Sequence, residues 1–192
     1  MRQCRNVRLV CGVHPFDMPD VKTASHTVGT AEDRVDLKTM DRAALKDFVA
    51  EHGAPRYRGD QLFNWIYGKG VSDFDRMSNL PKRMRRGLQR DATVEDIEIV
   101  DQQQAADQTV KALFELPSGR EAETVLIPDI DERGEARRLT VCVSSEVGCA
   151  MGCEFCATGL MGFRENLTPG AIFDQVWHMN EVAHERFGRP VT

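Results

Sequence analysis

Apolar positions recur at helical spacing between residues 36 and 92 and at a spacing of two from residue 93 onward. The chain therefore predicts a helical region followed by a strand-rich one. Asp41 is placed to cap a helix whose apolar stripe is Leu45, Phe48 and Val49 and which stops at Gly53. A second helix is expected from Tyr57 to Gly68, with Leu62, Phe63, Ile66 and Tyr67 on one face. A third opens with Pro81 in its first turn and runs through Met84 and Leu88. Strand signals follow at Val94, Ile97 and Ile99 and, after a polar stretch, at Val110, Ala112 and Phe114. A turn at Pro117-Ser118-Gly119 leads to another strand, Thr124 to Ile127. Leu139, Val141 and Val143 then alternate with Thr140, Cys142 and Ser144 in a strand that runs straight into a cysteine-rich loop. Thr168-Pro169 starts a helix with the stripe Ile172, Val176, Met179, Ala183 and Phe187, closed by Gly188. Strand, loop and helix in that order make one β/α unit of a parallel sheet or barrel. The expected class is α/β, with a helical accessory domain at 36–92 and a β-rich linker plus the first part of a larger domain at 93–192. Residues 1–35 show no sustained period and are expected to form a disordered extension.

Composition changes this picture little. The 192 residues are 41% hydrophobic and 29% charged, the balance of an ordinary soluble protein. The net charge of −5 does not advertise a nucleic-acid partner, so that question turns on local charge. Lys82, Arg83, Arg85, Arg86 and Arg90 lie together without an acidic residue among them, and Arg83, Arg86 and Arg90 share one side of the third helix. Such a face is either merely solvated or neutralises backbone phosphates. Tyr57, Trp65 and Tyr67 offer rings for base stacking, although their helical spacing suits a small core better. No signal peptide or membrane span is visible, and a reducing, cytoplasmic location is expected.

Six cysteines sharpen the reading. Cys4 and Cys11 match no ligand spacing. Cys149, Cys153 and Cys156 stand as C-x3-C-x2-C among the small residues Gly148, Ala150, Gly152, Ala157 and Gly159. Structural zinc wants four protein ligands, and an ordinary ferredoxin cubane wants four cysteines. Three thiolates leave one iron of a cubane open for a substrate or cofactor. The competing reading is a zinc site completed by Cys142, His178 or His184.

The triad, with Phe155 directly before its last cysteine, resembles the signature of the radical S-adenosyl-L-methionine (SAM) superfamily. The resemblance extends to Val141 through Cys149, to Cys153 through Gly159, to Tyr57 through Tyr67 with Phe74, Met77, Asn79-Leu80-Pro81 and Arg85, and to Glu123 through Pro128. Together these segments are similar to the RlmN/Cfr family of RNA adenosine methyltransferases, and nearer its RlmN branch. The resemblance implies a partial (β/α) barrel, a [4Fe–4S] cluster on Cys149, Cys153 and Cys156, and SAM bound at the open iron. It implies methylation of adenosine C2 in 23S rRNA and tRNA, an electron donor such as a flavodoxin, and a monomer that binds no membrane. In this family a methyl-carrying cysteine near the C-terminus forms an adduct with the adenine. By position, Cys142 matches the cysteine that resolves the adduct and Glu123 the proton acceptor. The family's accessory domain is thought to help grip RNA, which favours Lys82, Arg83, Arg85, Arg86 and Arg90 as RNA contacts. The methyl-carrying cysteine and the Gly-Glu-Pro segment that contacts SAM find no match before Thr192, so an N-terminal piece of a longer enzyme is expected, truncated after its first β/α unit. C8 methylation of the Cfr type and a noncatalytic RNA-binding remnant with a zinc-filled or empty loop are the alternatives.

Overall fold

The computed structural model describes residues 34–192. Cys4, Cys11 and nearly all of the expected extension lie outside the described residues.

The helical region is built as its pattern requires. Helix α1 (Arg42–Glu51) begins where the Asp41 carboxylate accepts from the Ala44 N–H, and it buries Leu45, Phe48 and Val49. The second helix differs from the expected single run. Its α-helical part, α2 (Tyr57–Phe63), passes into a π-turn over Asn64–Gly68. Leu62 and Ile66 remain fully buried across the change. Pro81 sits at the cap rather than inside α3 (Lys82–Asp91), its fixed φ leading into the first turn. These helices close over Leu37, Leu62, Ile66, Phe74, Met77, Leu80 and Leu88. A two-residue parallel pairing of β1 (Val35–Asp36) with β2 (Ala92–Thr93) brings the ends of the region together.

The strand-rich region is an antiparallel meander in the order β3 (Glu98–Gln104), β4 (Val110–Glu115), β5 (Glu121–Ile130), β6 (Ala136–Cys142). The polar stretch after Ile99 is strand as far as Gln104. Its polar side chains are tolerated because β3 is an edge strand with both faces largely open to water. The expected strand, cysteine loop and helix follow in order, but among the described residues the only strand beside β6 is β5, and it is antiparallel.

Helix α5 (Pro169–Phe187) lies across one face of this sheet. Thr168 caps it by accepting from the Ala171 N–H, and Gly188 ends it at φ 66°. Its buried face is Ala171, Gln175, Met179, Val182 and Ala183, packed on Ala112, Phe114, Ala122, Leu126 and Leu139. The expected stripe is thus rotated: Val176 is exposed, and Gln175 takes the central position. The reason is polar satisfaction. Gln175 Oε1 accepts from Thr124 Oγ1 (2.6 Å) and the Ser144 N–H (2.8 Å), and its Nε2 donates to the carbonyls of Ser144 (3.0 Å) and Ala171 (3.2 Å). A buried amide with all these partners costs little, and it imitates a neighbouring strand where β6 runs out.

Helical region and α5 meet at Lys38, whose side chain is almost fully buried. Its ammonium lies 2.6 Å from Asp174 and 3.4 Å from Asp96. Phe173 of α5 packs edge-on against Tyr67, and Gly70 lies so close to Trp177 that no side chain fits there.

Candidate functional site

Alternation along β5 separates two chemistries. Ala122, Thr124 and Leu126 point into the core, while Glu121, Glu123 and Val125 point away from α5. Across the sheet, Lys111, Val125 and Cys142 stand in one row, and Leu113 and Glu123 occupy the next row on the same outward face. Glu123 and Cys142 are therefore diagonal neighbours on adjacent strands, both open to solvent. Lys111 Nζ lies 3.1 Å from Glu123 Oε2, and the Glu123 carbonyl accepts from Ser144 Oγ at 2.7 Å. Cys142 is a free thiol.

Two residues past Ser144 the chain enters the cysteine loop. A clip of β7 (Glu146–Val147) and β8 (Glu165–Asn166) joins the loop's ends, reinforced by hydrogen bonds from the Arg164 N–H to the Val147 carbonyl and the Leu167 N–H to the Ser145 carbonyl, both 2.9 Å. Gly148 (φ 73°) sits against the Gly162 carbonyl, where a Cβ has no room. Within the loop the Cys156 N–H donates to the Cys153 carbonyl (3.1 Å), which starts the single-turn helix α4 (Ala157–Leu160). The Gly159 N–H holds the Cys156 thiol below its ordinary pKa against the opposing effect of desolvation, and bonds from Thr158 add to the lowering. The Met151 N–H approaches Cys149 Sγ at 3.5 Å. Amide donors aimed at sulfur and a thiol biased toward thiolate suit the donor set of an iron–sulfur cluster. The three thiols share the loop without converging: among the described residues, no three His, Cys, Asp or Glu side chains are grouped to hold a metal ion. The alternative fourth donors are placed elsewhere. His178 pairs with Asp96 (3.2 Å) and Glu181 (3.5 Å), His184 is exposed near the end of α5, and Cys142 belongs to the sheet face. The loop also exposes Met151, Phe155, Leu160 and Met161, with Phe155 93% accessible.

A second concave surface, a groove of about 710 Å³, lies between the end of α1, the turn at residues 53–58 and α3. Lys82, Arg83, Arg86 and Arg90 line it together with Arg58 and Tyr57. Arg90 is held by Asp91 through two 2.7 Å hydrogen bonds. Arg85, grouped with these residues by sequence, turns elsewhere: its guanidinium donates to the Asp75 carbonyl, and it does not line the groove. The aromatic trio divides as well. Tyr67 is packed between Phe63 and Phe173, and Trp65 bonds Asn79. Tyr57 is the exposed ring, with Arg58 stacked on it at 4.9 Å. Sequence reasoning missed Gln175 and Lys111. A glutamine inside an otherwise apolar helical stripe was the available signal for the first, and Lys111 carried none.

Residues 35–94 match the family profile described as "Ribosomal RNA large subunit methyltransferase N-terminal domain". Over 175 residues the chain is 95% identical to the "Probable dual-specificity RNA methyltransferase RlmN" of Salinibacter ruber, a match covering 91% of this chain and 47% of that protein. The chain is similar to members of the RlmN family. A crystal structure of a radical SAM methyltransferase from Sphaerobacter thermophilus is similar with a TM-score of 0.68 and 40% identity, over 82% of this chain and 45% of that one. The chain thus spans about half the length of the RlmN relative it matches. Among the described residues no helix is long and apolar enough to cross a membrane.

Proposed function

We propose that the protein containing this chain is a radical SAM methyltransferase that methylates C2 of adenosine in 23S rRNA and tRNA. The observation that carries the reading is the placement of Glu123 and Cys142 as neighbours on one open sheet face, on the strand pair that leads directly into the three-cysteine loop. Cys149, Cys153 and Cys156 would hold a [4Fe–4S] cluster, and the amide donors at the sulfurs of Cys149 and Cys156 suit that duty. When bound, the cluster and SAM supply the radical chemistry that the non-nucleophilic C2 carbon demands. The remaining work belongs to protein side chains. Glu123 presents a carboxylate oxygen as proton acceptor, and Cys142 presents a free thiol to resolve the RNA–protein adduct. Lys82, Arg83, Arg86 and Arg90 face backbone phosphates along the groove, with Tyr57 beside them for stacking on a base. A flavodoxin-type donor supplies the electron.

The test is anaerobic reconstitution of the full-length protein with iron and sulfide, followed by mass spectrometry of adenosines from treated 23S rRNA and tRNA. About four irons per chain and 2-methyladenosine as product support the assignment. Methylation at C8, or a loop that retains zinc and yields no product, overturns it.

A further inference from the structure

Lys111 reaches the catalytic face from a strand that contributes none of the assigned residues. It stands opposite Val125, which stands opposite Cys142, so the three form one row across β4, β5 and β6. Glu123 lies one row along on β5, between the lysine's strand and the cysteine's. The lysine ammonium is 3.1 Å from Glu123 Oε2, and among the described residues the structure records no partner for Oε1. An ammonium at this distance restrains a carboxylate side chain that otherwise has three free torsions. The other charged and titratable groups on this face are Glu98 and Glu121 on either side of Glu115, Asp101 opposite Leu113, Asp129 opposite Arg138, and Cys142. Lys111 is thus the cation beside Glu123, while Arg138, the other cation on this face, stands opposite Asp129 three rows farther along β5.

We propose that Lys111 is the positioning residue for Glu123: it fixes one carboxylate oxygen and leaves the other free to accept the proton. The proposal rests on the assignment of Glu123 as proton acceptor. Lys111 carries no fold-determining contact, since its side chain is about half exposed and its neighbours in the row are surface residues.

The experiment uses the full-length, cluster-reconstituted enzyme with Lys111→Met, Lys111→Arg, Glu123→Gln and the double variant Lys111→Met/Glu123→Gln. Each is assayed for methylated product, for RNA KM and for SAM cleavage to 5′-deoxyadenosine. Lys111→Met is expected to lower kcat for product roughly ten- to a hundredfold with the KM for RNA unchanged, the scale of a misplaced catalytic group. Lys111→Arg should recover most of that loss, and adding Lys111→Met to Glu123→Gln should lower kcat no further. Wild-type turnover in Lys111→Met, a loss confined to RNA KM, no recovery in Lys111→Arg, or a further loss in the double variant would each overturn the proposal. If Glu123→Gln itself turns over at the wild-type rate, the assignment of Glu123 fails instead, and the two failures are told apart.

Discussion

The two faces of the four-stranded sheet share every backbone hydrogen bond and differ in almost everything else. The inward face is apolar at its centre, where α5 covers it and the polar atoms of the Thr124–Gln175 pair are bonded. The outward face carries Lys111, Glu123 and Cys142 and has no comparable packing. Because side chains alternate, residues that hold the fold and residues proposed for the chemistry are immediate neighbours in sequence, Glu123 next to Thr124. Stability and activity should therefore separate cleanly in variants one position apart.

The largest break is expected from Phe114→Ala. It removes a fully buried ring and should cost about 4 kcal/mol, read by denaturant unfolding. Gln175→Ala comes next, at about 3 kcal/mol, because Thr124 and Ser144 lose buried partners. It should also loosen the Ser144 end of β6, and hydrogen exchange at the Ser144 amide would report that directly. Glu123→Gln sharpens the contrast from the other face. Its unfolding free energy should stay within about 0.5 kcal/mol of the parent, while product formation falls about a hundredfold. Equal losses of stability at Glu123 and Thr124 would erase the distinction between the faces.

A smaller effect comes from pH. His178 is held above its ordinary pKa by its hydrogen bond to Asp96, against the opposing effect of burial. Burial pushes Asp174 up to about 6 despite the Lys38 ammonium beside it. A raised folded pKa contributes stability that is complete below the unfolded value and is lost as pH rises through the folded one. Both groups therefore predict that stability falls with rising pH, through Asp174 between about pH 4 and pH 6 and through His178 from about pH 6.5 upward, with the His178 share under about 1 kcal/mol at this half-open site. His178→Gln should flatten the upper part of that slope in thermal melts. The smallest change is Gln108→Gly. Gln108 holds φ 69° in the β3–β4 turn, at the position that Gly119 and Gly134 occupy in the next two turns, so relief of strain should give about 0.5 kcal/mol.

Local signals made much of this legible in the sequence. Asp41, Thr168 and Pro169 announced their helix starts because capping is a contact between residues three apart. The alternation around Cys142 announced its strand because side-chain direction, too, is set locally. What escaped depended on partners distant in sequence. Lys38 meets Asp174 across 136 residues, and Gln175 is buried only because Thr124 and Ser144 converge on it. The edge strand Asp101 to Gln104 escaped because its pairing uses backbone atoms, which a polar sequence does not disguise but does not advertise. Arg85 looked like its basic neighbours until its guanidinium was found on Asp75.

The clip that pairs Glu146 with Asn166 makes the cysteine segment a cassette. Its ends leave the body of the protein side by side, so residues can be inserted or deleted between them without moving β6 or α5. Evolution can rewrite the loop's interior while the frame that presents it stays in place, and a graft of the segment need reproduce only one narrow stem.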